Sequence, residues 1–425
     1  MEQQLAVTII ARIRSAAIGQ LDELLTTMGN GVANGAVIPF TQLSQLHFAR
    51  ILILEESAGA GGESTPPYLV FLSDIDGSLD RYLRDLVASA RTGLDDIFSH
   101  CEGYPAASAL TDDSRIAFLR ARTVKAQTTY ANRPGRTVQQ VHQDAALREA
   151  IQDFLDRPGQ NWSSRRPAEI RGAIQEFVNQ EPTLAWARTP PPASGLRDLI
   201  RGRLRLVAVP LLLLLLSPVI ILGLPFWLLL LRKRERRDPA RHIRPDPARV
   251  ASLASLEDRA VQNPFAGVGF LKSGRFRLLS ARGVLWLVNY GTRNIYTKGQ
   301  LSGVRTIHFA RWVLIDDQRR LIFASNYDGS LESYMDEFID KVAWGLNAVF
   351  SNGVGYPKTD WLILHGAKDE TAFKDYLRVH QIPTRVWYSA YPRLTAVNIA
   401  RNADIRRGLY GAMDATAVEQ WLRLL

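Results

Sequence analysis

Leu69 to Pro105 reads LVFLSDIDGSLDRYLRDLVASARTGLDDIFSHCEGYP, and Leu321 to Pro357 reads LIFASNYDGSLESYMDEFIDKVAWGLNAVFSNGVGYP. The two stretches align without a gap and agree at 15 of 37 positions, where chance at ordinary composition gives roughly two or three. Upstream, His47-Phe48-Ala49-Arg50 recurs as His308-Phe309-Ala310-Arg311, the change of offset being absorbed by the Gly/Ser/Pro loop between Glu55 and Pro67. Downstream, Tyr130, Pro134, Thr137, Ala145 and Arg148 match Tyr388, Pro392, Thr395, Ala403 and Arg406. Self-similarity over so long a stretch marks two copies of one domain.

Working outward, each copy carries the same order of elements. Residues 5–13 alternate as a strand, 15–29 form an amphipathic helix, and 46–54 and 68–74 read as two more strands. Ser78 opens a long helix to about Ser99, with Leu79, Tyr82, Leu83, Leu86, Val87, Leu94, Ile97 and Phe98 on one stripe. A short helix near 113–120, a strand near 126–132 and a helix over 146–154 close the unit. The second copy repeats this from Val268, with a helix near 277–290, strands over 306–315 and 320–325, a helix over 330–351 and a strand over 384–390. The fold class is α+β, βαββαβ twice. The copies occupy 1–155 and 262–425, with a linker carrying short helices at 156–205, an apolar segment at 206–231 and a basic linker with a helix at 232–261.

This element order resembles the ferredoxin-like split βαβ unit. Its tandem repetition is similar to the dimeric α/β-barrel superfamily, which includes dye-decolorising peroxidases, chlorite dismutases and antibiotic-biosynthesis-type monooxygenases. The resemblance implies that the copies pair as a pseudo-dimeric barrel, with a cavity between two facing sheets. It also implies, as one reading of function, a haem-dependent peroxidase or a monooxygenase-like oxidoreductase. More closely, the HFAR and YDGSLESY patterns are similar to a group of uncharacterised membrane-anchored bacterial proteins. Superfolds host many chemistries, so the likeness speaks to fold before activity.

Leu206 to Leu231 runs LVAVPLLLLLLSPVIILGLPFWLLLL without a charge and is closed by RKRERR. At helical rise these 26 residues extend about 39 Å, longer than a hydrocarbon core of about 30 Å. Pro210, Pro218 and Pro225 interrupt the segment, and Ser217-Pro218 near its midpoint favours a kink. Both flanks are basic: Arg201, Arg203 and Arg205 precede it, and Arg232, Lys233, Arg234, Arg236 and Arg237 follow. Positive charge on both sides favours a hairpin returning to one face, and a single transmembrane helix is the alternative. The hairpin also lets both copies lie on one side, where they can pair with each other; pairing with a second chain is the other arrangement.

The formal charge is +10, which by itself points to nucleic acid. However, residues 197–249 hold twelve Arg or Lys against four acids. The excess therefore marks an anionic leaflet and not a nucleic acid. The expected location is the cell inner membrane with the globular parts cytoplasmic. The start, MEQQLAVTIIARIR, lacks a basic n-region and continuous apolar run and is expected to be mature protein. A single cysteine, Cys101, excludes an intrachain disulfide and Cys-based metal sites.

The candidate site residues are His47, Arg50 and Asp76 with His308, Arg311 and Asp328. Strand alternation puts either the His or the Arg toward the barrel interior, as a proton or metal contact in one case and an anion contact in the other. Asp76-Gly77-Ser78 and Asp328-Gly329-Ser330 read either as helix starts or as acids facing the cavity. His365, after the apolar run WLIL, is the weak candidate for a haem axial ligand. No GxSxG, HExxH, Walker A or GxGxxG pattern occurs. The residues favour a membrane-anchored, non-catalytic or accessory protein that binds a protein partner or an apolar ligand, with self-association as a further option.

Overall fold

The computed structural model of the protein describes residues 4–425 apart from 33, 34, 36, 59–63, 160, 192–195, 240, 241 and 259. It is a mixed α+β structure built on two antiparallel four-stranded sheets. In the N-terminal half, strand β1 (Gln4–Arg12) leads through helix α1 (Ile18–Asn30) to β2 (Leu46–Leu54) and β3 (Tyr68–Asp76). There follow α2 (Leu79–Phe98), α3 (Asp112–Ala121), β4 (Thr128–Ala131) and α4 (Val138–Leu155). Helices α5 (Pro167–Gln180), α6 (Leu196–Leu215), α7 (Ser217–Arg237) and α8 (Pro247–Ala254) make the connection. The C-terminal half runs β5 (Gln262–Phe270), α9 (Arg275–Asn294), β6 (Ile307–Ile315), β7 (Arg320–Asp328), α10 (Leu331–Phe350), α11 (Glu370–His380), β8 (Val386–Ser389), α12 (Ala396–Gly408) and α13 (Ala415–Leu422).

The strand expected to close each half closes the other one. The sheet orders are β1-β3-β2-β8 and β4-β6-β7-β5. Tyr388 of β8 lies opposite Ala49, and Tyr130 of β4 opposite Ala310. Each exchanged strand carries an apolar side chain into the core it joins: Tyr388 packs against the N-terminal core, and Tyr130 is buried in the C-terminal one. The exchange interlocks the halves, because neither sheet is complete without a strand from the other.

Ser78 and Ser330 cap α2 and α10 by accepting the amides of Arg81 and Ser333, which satisfies donors that a helix start leaves open. Gly77 and Gly329 precede them at φ of +87° and +82°, a region that costs glycine nothing. One face of each sheet is covered by its helices. The other two faces meet through Leu52, Leu54, Val70 and Leu72 against Val313, Ile315, Ile322 and Ala324. The expected cavity between the sheets is therefore filled with aliphatic side chains.

The apolar segment departs from both expectations. Leu206–Leu215 and α7 are bent by 74° at Leu216, neither a straight span nor an antiparallel hairpin, and no single helix among the described residues is long and apolar enough to cross a membrane. Pro218 sits in the first turn of α7; having no N–H, it leaves the carbonyl four residues earlier unpaired and lets the helix turn there. Pro210 and Pro225 stay inside their helices. Leu206, Leu211, Leu214, Leu222 and Phe226 are exposed. Leu231, read as the last residue of the segment, is fully buried instead, because the end of α7 docks on the C-terminal half. There Glu235 accepts the amides of Trp361 (2.8 Å) and Leu362 (2.7 Å) and the hydroxyl of Thr359.

Candidate functional site

Both His and Arg face the seam between the sheets. The register of β2 shifts between Leu46 and Phe48, and that of β6 between Ile307 and Phe309. An extra residue in a strand puts two neighbours on one side. Leu46 thus points to the helix-side core while His47, Phe48 and Arg50 all face the other sheet, and Ile307, His308, Phe309 and Arg311 do the same. The expectation of one or the other assumed an unbroken period of two.

His47 Nε2 donates to Asp76 at 2.9 Å, and the Tyr391 hydroxyl lies 2.9 Å from Nδ1. Asp76 accepts its second bond from the Val138 amide, at the start of α4. Likewise His308 Nε2 donates to Asp328 at 2.7 Å, and Asp328 accepts from the Ala396 amide at the start of α12. The two acids therefore cap distant helices, not their own. With both imidazole nitrogens of His47 engaged, no ligand atom is left for a metal. The arginines cross the seam: Arg311 donates to the carbonyls of Val7 and Ser73 and to the Asp74 carboxylate. Arg50 donates to the carbonyls of Phe265 and Ser325 and to the amide oxygen of Asn326. Burial, and then the charge of Arg311, push Arg50 down to about 9. These groups fasten the halves together.

The open space lies elsewhere, on the helix side of the C-terminal sheet. A cavity of about 260 Å³ runs between α9 and α10, lined by Leu287, Val288, Met335, Phe338, Val342 and Gly345 and floored by Phe265, Trp312 and Phe323. Its walls are almost wholly apolar, and exposed Leu287, Ile295 and Trp344 mark its mouth. Tyr290, in the same wall, donates from its hydroxyl to the carbonyl of Leu206, the first residue of the apolar segment. Trp227 of α7 donates to Ser280 at 3.2 Å and lies beside Phe276. Helix α9 thus joins the cavity to the bent apolar pair, and Trp286, Trp344 and Trp361 are all exposed.

Where α7 meets the C-terminal half, a cleft of about 1040 Å³ is lined by Lys233, Arg234, Arg237, Lys272, Arg277 and Arg319, with Asp238 the one acid among them. Asp238 is shared by Lys272 (2.8 Å) and Arg277 (2.6 Å), and burial lowers Lys272 below its ordinary value. Of the basic run, Lys233, Arg236 and Arg237 are exposed, whereas Arg232 is tied to Asp360. The side chains of Arg201, Arg203 and Arg205 lie outside the described residues.

His365 is 72% exposed on a short ladder, 3.7 Å from Asp360, and is not in the wall of the apolar cavity. That wall offers neither histidine nor thiolate. Its buried Tyr334 is hydrogen-bonded to Ser325 and held in the phenol form by burial. The residues present do not fit a haem axial site. The acidic trio Glu332, Asp336 and Glu370 has the Lys374 ammonium at its centre, bridging to all three. The cavity itself had no motif to announce it. Its signal was a change of residue size between matched positions, Ile38 to Gly299 and Phe40 to Leu301 at the offset of the HFAR match. Comparison of the chain with protein-family models, curated proteins and solved structures found no match.

Proposed function

We propose that the protein is a non-catalytic, membrane-seated binder of an apolar chain, such as the acyl tail of a lipid, held in the cavity between α9 and α10. The observation that carries this reading is the apolar cavity whose wall residue Tyr290 is bonded to the start of the exposed apolar helix pair. A ligand leaving a bilayer at α6 and α7 meets the cavity mouth without crossing water. Exposed tryptophans beside an apolar helix favour the headgroup level, and the cleft of Lys233, Arg234 and Arg237 favours an anionic leaflet. On this reading α6 and α7 dip into the cytoplasmic leaflet of the cell inner membrane, and the globular halves remain in the cytoplasm. We further read the halves as tandem ferredoxin-like units that exchange their last strands, in the manner of the dimeric α/β-barrel superfamily. Support comes from the matched order of elements and the matched His–Asp and Arg contacts.

The test is titration of the full chain, in vesicles of neutral and of anionic lipid, with a fluorescent fatty acid. Filling the cavity by Leu301→Phe with Val342→Phe is expected to weaken binding by about tenfold or more, with α6–α7 untouched. Unchanged affinity in the filled variant removes the proposal.

A further inference from the structure

A second opening lies where the last helices of the two halves meet. Arg133 and Arg136 precede α4, Arg406 and Arg407 end α12, and together with Asp144 they line a cleft of about 600 Å³. The two oxygens of Asp144 are already divided: Oδ2 accepts from Arg136 at 2.6 Å and Oδ1 from Arg406 at 3.2 Å. Arg407 pairs with Asp404 at 2.9 Å, outside the wall. Counting both acids against the four guanidiniums leaves two positive charges unmatched. Arg133 has no acceptor among the described residues, and the Nε atoms of both Arg133 and Arg136 are buried without one.

The geometry is prepared and not accidental crowding. A Cβ at Gly299 would stand 3.0 Å from Arg133 Nε, so the glycine, at φ +83°, keeps room for the guanidinium. Arg133 and Arg136 also wall a smaller void of about 30 Å³ that reaches His47 and His308. In the matched half, the position of Arg133 is held by Tyr391, whose hydroxyl meets His47. There the imidazole is closed off by a phenol. On the His308 side an unpartnered arginine stands in its place.

We infer that this cleft binds a phosphate monoester, with Arg133 as its free guanidinium and Arg136, Arg406 and Arg407 around it. Planar guanidiniums match the oxygens of a phosphate two at a time, and a dianion cancels the two unmatched charges. The burial that lowers Arg136 is then offset by a fixed counter-charge. The inference stands apart from the apolar cavity, since no residue is shared between the two walls.

The experiment uses the full chain in neutral detergent micelles and reads the thermal midpoint and calorimetric affinity with glycerol phosphate, with glycerol as the control. A midpoint that rises with glycerol phosphate and not with glycerol is expected. Arg133→Gln is expected to weaken affinity by about tenfold or more, and Arg133→Lys to recover part of it. Arg407→Gln, on the exposed rim, gives a variant whose folding is not in question and is expected to weaken binding as well. A response to phosphatidate in the micelle that Arg133→Gln abolishes, without one to glycerol phosphate, assigns the same site to a lipid headgroup, whereas a phosphatidate response that Arg133→Gln leaves intact belongs to the apolar cavity and counts against the cleft. No response to either, or full affinity in both glutamine variants, overturns the inference.

Discussion

The two halves share strand order and cap chemistry, yet one is solid and the other hollow. In the N-terminal half, residues 37–45 fold back under α2, burying Ile38, Phe40 and Leu43 in the core, with Phe40 stacked on Tyr388 at 5.2 Å. In the C-terminal half, Gly299 and Leu301 stand where Ile38 and Phe40 stand in the other, and the cavity opens between α9 and α10. Gly93 and Gly345 make the contrast local. A Cβ at Gly93 would lie 1.9 Å from the Val37 carbonyl oxygen, whereas at Gly345 it would meet only Val342 Cγ1, at 2.8 Å. The framework is common, and the loop before the second strand decides which half has room for a ligand.

The charges across the seam give the largest expected difference between the halves. Arg311 faces the carboxylate of Asp74, and Arg50 faces the amide of Asn326. Arg311→Leu leaves the buried Asp74 carboxylate without its ion-pair partner and with the Asn326 amide as its remaining side-chain donor, and is expected to cost about 3–5 kcal/mol in urea unfolding of the full chain. Arg50→Leu strands only neutral acceptors and relieves like-charge repulsion, so about 1–3 kcal/mol is expected. Equal losses would mean that the two arginines are equivalent after all.

Next in size is the filling of the loops. Phe40→Ala should open a void in the solid half and cost about 3 kcal/mol. In contrast, Leu301→Phe should fill existing space and raise stability by about 1 kcal/mol. If Leu301→Phe destabilises as strongly as an overpacked core does, the hollow is not available space. The smallest effect separates the glycines: Gly93→Ala is expected to lose about 2 kcal/mol by collision with Val37. Gly345→Ala should stay within about 1 kcal/mol, helix propensity offsetting a shift of Val342. Circular dichroism melts of the two variants side by side decide this.

Much of the framework was legible in the residues. The run LHFARILIL was read as a strand and occupies Leu46–Leu54, and the helix read from Ser78 to Ser99 occupies Leu79–Phe98. Apolar periodicity is local, so it survives in a single sequence. The bulges at His47 and His308 were not legible, because Leu46 and Ile307 fit either phase of an alternating strand. Nor was the burial of Glu235, which in RKRERR reads as one more surface charge until the amides of Trp361 and Leu362 are brought to it.

By itself, then, the sequence determined two matched sets of strands and helices and a charge-free, proline-broken segment between them. Hydrophobic spacing and local turn chemistry are written within a few residues of where they act. Only the tertiary structure decided that β4 and β8 change partners, that aliphatic side chains fill the interface between the sheets, and that an apolar cavity lies under α9 and α10. Each of these depends on how two matched surfaces, far apart in sequence, pack against each other. Matched positions such as Tyr130 and Tyr388 carry the same residue, so nothing local tells one strand from the other.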